Sequence, residues 1–169
     1  MRHQGTDSKR ATAFARARHA ARNGVASDPP AGKPHPAVCM RCHATHRQGR
    51  WRWDPPPPAL VPVLCPACRC IRDGLAAHVI ELSGALPPSW NEVRGIVGNV
   101  ARAETQQHPM ERVMQIEVQG DKVLVPTTGT HMARRIVAAL VRRWRHGVRL
   151  VFADAETRVE WLEPREVRR

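Results

Sequence analysis

The sequence contains few of the large side chains from which most protein cores are built. Its 169 residues include no tyrosine, two phenylalanines and five tryptophans. No apolar run approaches the roughly 18 residues of a membrane-spanning helix, and the first residues lead into no apolar secretory segment. We therefore expect a cytoplasmic protein with no membrane partner. Apolar packing alone is not expected to stabilise a folded structure in the first half of the chain.

Acidic residues are also scarce relative to basic ones. There are 15 Asp and Glu against 27 Lys and Arg, which gives a formal net charge of +12. The excess lies mainly in the first half, since residues 1–34 carry seven basic residues against two acidic ones. Each cation placed near a phosphate releases counterions and adds affinity, so this balance favours a polyanionic partner. Solubility or biased composition is the alternative, and the charge does not distinguish RNA from DNA.

Four of the five cysteines form two CxxC pairs with 22 residues between them. Thiols stay reduced in the cytoplasm, so metal ligation is favoured over disulfides, a redox dithiol or an iron–sulfur site. The sequence predicts one structural Zn²⁺ held by Cys39, Cys42, Cys65 and Cys68. Cys70, His43 and His46 are expected to be spectators. Four thiolates leave no open position for a reacting water, so we do not expect an enzyme.

Composition divides the chain into three segments. Residues 1–36 read as a disordered basic arm, residues 37–74 as a zinc ribbon and residues 75–169 as an α+β domain. In the last segment we expect a strand, a helix, a hairpin, a helix and a hairpin, forming a small antiparallel or mixed sheet with both helices on one side. The expected ranges are 77–82, 89–104, 114–118 with 122–125, 131–146, and 148–153 with 158–162. Ser89 and Glu92 match a capping box.

Cations and indoles alternate between the two cysteine pairs. Together with Arg41, the residues Arg50, Trp51, Arg52 and Trp53 are candidates for stacking on bases and neutralising phosphates. The alternative is structural, because Trp51 and Trp53 lie on one face of a strand and would cover the cysteine knuckles or pack on the neighbouring domain.

The second predicted helix has a basic face opposite an apolar one. Its cationic side carries Arg134, Arg135, Arg142 and Arg145. No acidic residue occurs from 131 to 146, whereas solvated helix faces usually mix both signs, so we predict contact with nucleic acid. An ordinary solvated face is the alternative.

The start of that helix is rich in hydroxyl groups. Thr128, Gly129, Thr130 and His131 are candidate phosphate contacts through free amides and the helix dipole. Ordinary helix capping is the competing interpretation. An acid or base role for His131 would require a carboxylate, for which Glu92, Glu104 and Glu111 are the candidates.

Several motifs together resemble a known group of proteins. The two CxxC pairs, His108-Pro109 and the stretch VPTTGTHMARRIV are similar to small bacterial zinc-ribbon proteins of obscure function. That group resembles the N-terminal region of the nonsense-mediated-decay adaptor family, which accompanies the large ribosomal subunit in export. The resemblance implies that the four paired cysteines bind zinc and that the protein associates with RNA or ribosomes. This chain is far shorter than those adaptors and has one pair of knuckles where they have more.

Two functions are therefore expected in order of preference. The first is a non-enzymatic zinc protein that binds RNA or ribosomal particles through a basic surface. The second is an adaptor whose ribbon binds another protein without touching nucleic acid.

Overall fold

The structure is a computed structural model of the chain. It describes residues 36–56, 58, 61–84, 89–145 and 147–162. The predicted basic arm, apart from Pro36, lies outside these residues. In the described part, the chain builds two sheets and three helices, which confirms the mixed α+β class.

The first sheet contains four strands of three residues each. They are β1 (Ala37–Cys39), β2 (Thr45–Arg47), β3 (Arg50–Arg52) and β4 (Val61–Val63), in the spatial order β3-β2-β1-β4. β1 pairs antiparallel with β2 and parallel with β4. With the helix α1 (Pro66–Asp73), these strands are referred to below as the cysteine module.

Helix α1 was not predicted from the sequence. Cys65 is its N-cap, and the Cys65 sulfur accepts a hydrogen bond from the amide of Cys68. Pro66 occupies the first turn, where a missing N–H costs nothing. Gly74 ends the helix in the left-handed conformation at φ 67°. The second CxxC pair is therefore a helix start as well as a metal-binding turn.

The second sheet has five strands and carries both longer helices. Its strands are β5 (His78–Gly84), β6 (Glu117–Gln119), β7 (Lys122–Thr127), β8 (Val148–Ala153) and β9 (Glu156–Trp161), in the order β6-β7-β5-β9-β8. β5 and β9 are parallel and the other pairs are antiparallel, so the sheet is mixed. The helices are α2 (Trp90–Gln107) and α3 (Thr130–Arg143). We call this part the αβ module.

Both helices of the αβ module pack on the same face of the sheet, as predicted. Ile80 and Leu82 of β5 join Val93 of α2 and Ile136 of α3 in one buried cluster. Alternate residues of the strands, such as Val79 and Leu124, form a smaller cluster on the opposite face. This alternation follows from the two-residue period of a strand.

Local details differ from the sequence predictions. Ser89 is the N-cap of α2, but its side chain makes no capping hydrogen bond, so the predicted capping box is wrong. The predicted strand 122–125 extends through Pro126 to Thr127. Pro126 fits because it lies beyond the end of β6, and its carbonyl accepts a hydrogen bond from the amide of Met114. Residues 114–116 are not a strand, and the last hairpin turns over residues 154–155 rather than four residues.

The two modules contact each other at the end of α2 and in the loop that follows it. The Trp53 indole nitrogen donates a hydrogen bond to the carbonyl of Thr105 at 2.7 Å. Arg112 reaches Cys68 from the other side of the junction. Among the described helices, none is long and apolar enough to cross a membrane.

Candidate metal centre and basic groove

The four paired cysteines meet in one cluster, although they lie on different elements. Cys39 ends β1, Cys42 lies in the following turn, Cys65 precedes α1 and Cys68 is in its first turn. Their sulfur atoms all lie within 4.8 Å of one another, and Cys42 and Cys65 are 3.7 Å apart. Four sulfurs about 2.3 Å from a tetrahedral ion are about 3.8 Å apart, so the cluster is compatible with a structural metal site.

Backbone amides surround these sulfurs. The amide of Cys65 donates to the Cys39 sulfur, and that of Cys68 donates to the Cys65 sulfur, both at 3.4 Å. Burial opposes ionisation of Cys39, but the amides outweigh it and lower its pKa to about 6. For Cys68, burial and neighbouring sulfurs raise the pKa to about 11. Burial and mutual repulsion therefore disfavour four thiolates side by side, and a bound divalent cation relieves that repulsion.

Arg112 supplies a positive charge beside the cluster. Its Nη1 donates to the Cys68 sulfur at 3.7 Å, and its Nε donates to the carbonyl of Pro109 at 2.8 Å. The guanidinium also lies 5.6 Å from the centre of the Trp53 ring. Burial would lower the Arg112 pKa, yet the nearby thiols raise it. Sequence reasoning missed this residue, because it lies 44 positions from Cys68 and no local motif links the two.

The three predicted spectators stay outside the four-sulfur group. Cys70 is half-buried in α1, and burial raises the pKa of its thiol. His46 is buried against Trp51, with ring centres 5.2 Å apart. His43 is exposed in the turn, with φ 63°. Within the described residues, the cysteine cluster contains only the four predicted side chains.

The Arg/Trp stretch divides into packed indoles and exposed cations. Trp51 packs on the cysteine cluster, and Trp53 is held at the module junction by Thr105 and Arg112. Arg50 and Arg52, like Arg41, are exposed. The indoles therefore have structural contacts, while the three arginines remain available to a partner.

The four arginines predicted on the second helix are not equivalent, and Arg145 lies beyond Arg143, where α3 ends instead of at the predicted residue 146. Arg135 donates its Nε to Glu104 at 2.6 Å, which binds α3 to α2. Arg143, which the sequence prediction left out, similarly binds Glu92 at 2.6 Å. Arg134, Arg142 and Arg145 are exposed, and none of them forms an ion pair with a described residue.

These three arginines line a groove between α3 and the β8–β9 hairpin. The groove has a volume of about 630 Å³. Its apolar lining includes Val137, Val141, Leu150 and Phe152, and Phe152 is 69% exposed. Asp154 and the buried His78 also line it. Burial and the nearby Arg134 lower the pKa of His78, which favours the neutral form of its ring.

A carboxylate already occupies the start of α3. Glu111 accepts a hydrogen bond from the amide of Met132 at 2.7 Å and lies against Gly129. Thr128 directs its hydroxyl to the carbonyl of Met110 at 2.6 Å, and Thr130 is exposed. The phosphate contact at this helix start stays a prediction, and a phosphate would have to displace Glu111.

His131 lies beside one of its three candidate carboxylates. Its Nε2 is 3.0 Å from Oε2 of Glu104, and the ring of His108 packs edge-on against it at 5.8 Å. Burial would raise the pKa of Glu104, but Arg135 and His131 lower it, which favours the ionised carboxylate.

Comparison of the chain with protein-family models, curated proteins and solved structures found no match.

Proposed function

We propose that the chain is a non-enzymatic zinc protein of the cytoplasm that binds single-stranded RNA, free or on ribosomal particles, in the groove between α3 and the β8–β9 hairpin. The observation that carries the proposal is the groove itself. It combines the guanidinium groups of Arg134, Arg142 and Arg145, none of which pairs with a described carboxylate, with the exposed ring of Phe152.

Single-stranded RNA requires both features. Its unpaired bases stack on aromatic rings, and its phosphates are neutralised by cations along the same track. Duplex nucleic acid keeps its bases stacked internally, so Phe152 would contribute little to duplex binding. The exposed Arg41, Arg50 and Arg52 and the basic arm of residues 1–34 would add affinity that is independent of base sequence.

Zinc has a structural role in this proposal. The four thiolates of Cys39, Cys42, Cys65 and Cys68 would complete its coordination and leave no position for a reacting water. The ion would hold together four short strands and one helix, whose small buried cluster consists mainly of these cysteines. The resemblance to zinc-ribbon proteins related to ribosome export adaptors agrees with this role.

The adaptor remains the second candidate, and one observation favours it. β8 is an edge strand of its sheet, and its Val151 and Phe152 are 47% and 69% exposed. An extended peptide from another protein could pair with such an edge. Binding of this kind would survive nuclease treatment and would depend little on Arg134 or Arg142.

The proposal is tested with zinc-loaded protein and a labelled single-stranded RNA of about 12 nucleotides, followed by fluorescence anisotropy. Phe152→Ala should weaken binding by about tenfold, because stacking contributes roughly 1–3 kcal/mol per base. The same variant should hardly change binding to a duplex of equal length. Arg94→Gln with Arg102→Gln, two exposed positions on α2, is the control. Equal RNA affinity of wild type and the Phe152 variant would overturn the proposal.

A further inference from the structure

A second group of metal-binding side chains lies at the junction of α2 and α3, apart from the cysteine cluster. Glu104 is in the last turn of α2, His108 caps that helix, and His131 is in the first turn of α3. One ligand atom from each residue lies within 4.8 Å of the others. Glu104 and His108 are four positions apart, a spacing that places two ligands on one side of a helix.

From this juxtaposition we infer a second divalent metal site, with two imidazole nitrogens and one carboxylate oxygen as ligands. Imidazole with carboxylate suits Zn²⁺ and its transition-metal neighbours. Two ligands about 2.0 Å from a tetrahedral ion lie about 3.3 Å apart. Glu104 Oε2 and His131 Nε2 are separated by 3.0 Å, so a small shift of the exposed imidazole admits the ion.

The carboxylate is prepared for this role by its surroundings. The Glu104 side chain is only 10% exposed, and Arg135 holds its other oxygen, Oε1, at 2.6 Å. Oε2 therefore faces His131 and is the oxygen available to bind the ion. Partners of this kind outside the ligand set orient metal-binding carboxylates in proteins.

Solvent reaches the site through the imidazoles. The His131 side chain is 53% exposed and His108 is also exposed, whereas the carboxylate beneath them is buried. Three protein ligands leave at least one coordination position on the solvent side, which a water molecule or an anionic oxygen would fill. The four-thiolate cluster has no such open position.

The experiment is a calorimetric titration of the full chain, already loaded with one zinc per molecule, with Zn²⁺ alone. The wild type should bind a second equivalent. His108→Ala and His131→Ala, both at exposed positions, should each weaken that equivalent by tenfold or more. Arg135→Ala should weaken it by about 10- to 100-fold through the orientation of Glu104. Gln106→Ala, an exposed position in the last turn of α2, is the matched control and should change nothing.

Cobalt distinguishes this site from an extra ion on sulfur. A second Co²⁺ at nitrogen and oxygen adds weak absorption, whereas a thiolate such as Cys70 would add an intense charge-transfer band. The inference is overturned if the wild type binds no second metal equivalent, or if both histidine variants bind it as tightly as the wild type does. It is also overturned if the second Co²⁺ adds a thiolate charge-transfer band. None of these results would affect the RNA proposal, because the groove residues are not changed.

Discussion

Removal of Arg112 is expected to weaken zinc binding at the cysteine cluster. A zinc ion with four thiolates carries a net charge of −2, and Arg112 places a half-buried guanidinium 3.7 Å from the Cys68 sulfur. Hydrogen bonds to charged groups contribute about 1.5–3 kcal/mol. Arg112→Ala also loses the contacts with Pro109 and Trp53 that fix the guanidinium.

A loss of about 2 kcal/mol corresponds to a roughly 30-fold increase in the zinc Kd. The assay is competition for Zn²⁺ with a chromophoric chelator at pH 7. Arg112→Lys keeps the charge without the planar fork, so its Kd should lie between those of wild type and Arg112→Ala. The control is Arg102→Ala, which removes an exposed arginine of α2 whose Nη1 donates to Asn99. A Kd of Arg112→Ala within twofold of wild type would refute the reasoning.

Three further predictions concern stability. Chelation of zinc should unfold the cysteine module and leave the αβ module folded, because the large apolar cluster of the described residues lies in the αβ module. Loss of the whole circular dichroism signal on chelation would contradict this. Gly129→Ala places a Cβ against the Glu111 carboxylate, which must then move away from the amide of Met132 at the start of α3. It should therefore lower the free energy of unfolding in urea by about 1–2 kcal/mol, whereas Gly98→Ala, whose Cβ meets nothing within 4 Å, should not lower it. Burial lowers the His78 pKa below 6.5, so the unfolded state binds a proton before the folded state does as the pH falls. The free energy of unfolding should therefore decrease when the pH falls below about 6.5, and this decrease should be smaller in His78→Gln. An equal pH dependence in that variant would exclude His78 as the cause.

Much of the fold follows from periodic patterns in the sequence. The helical spacing of Val93 and Val97 identified α2, and the predicted strand 122–125 lies within β7. The two CxxC pairs identified four residues that meet in space. These signals are local, so a single stretch of sequence is enough to detect them.

The remaining features depend on contacts between distant segments. Arg112 reaches Cys68 across the module junction, and Glu104 joins His131 and Arg135 across two helices. Contacts between residues so far apart leave no periodic pattern in the sequence. Helix α1 was missed because Cys65 serves as its N-cap, and a CxxC pattern reads first as a metal-binding turn. The ion pair of Arg135 likewise shows why a basic helix face predicted from spacing alone includes arginines that are engaged within the protein.

The RNA proposal is tested most directly by the salt dependence of binding. Each phosphate contact on a single strand contributes about −0.7 to the slope of log affinity against log salt concentration. Replacing Arg134 and Arg142 together with glutamine should therefore make the slope less steep by about 1.4. The matched double variant Arg94→Gln with Arg102→Gln should keep the wild-type slope. Equal slopes for all three proteins, or no RNA binding by the wild type at low salt, would contradict the groove as the RNA-binding surface.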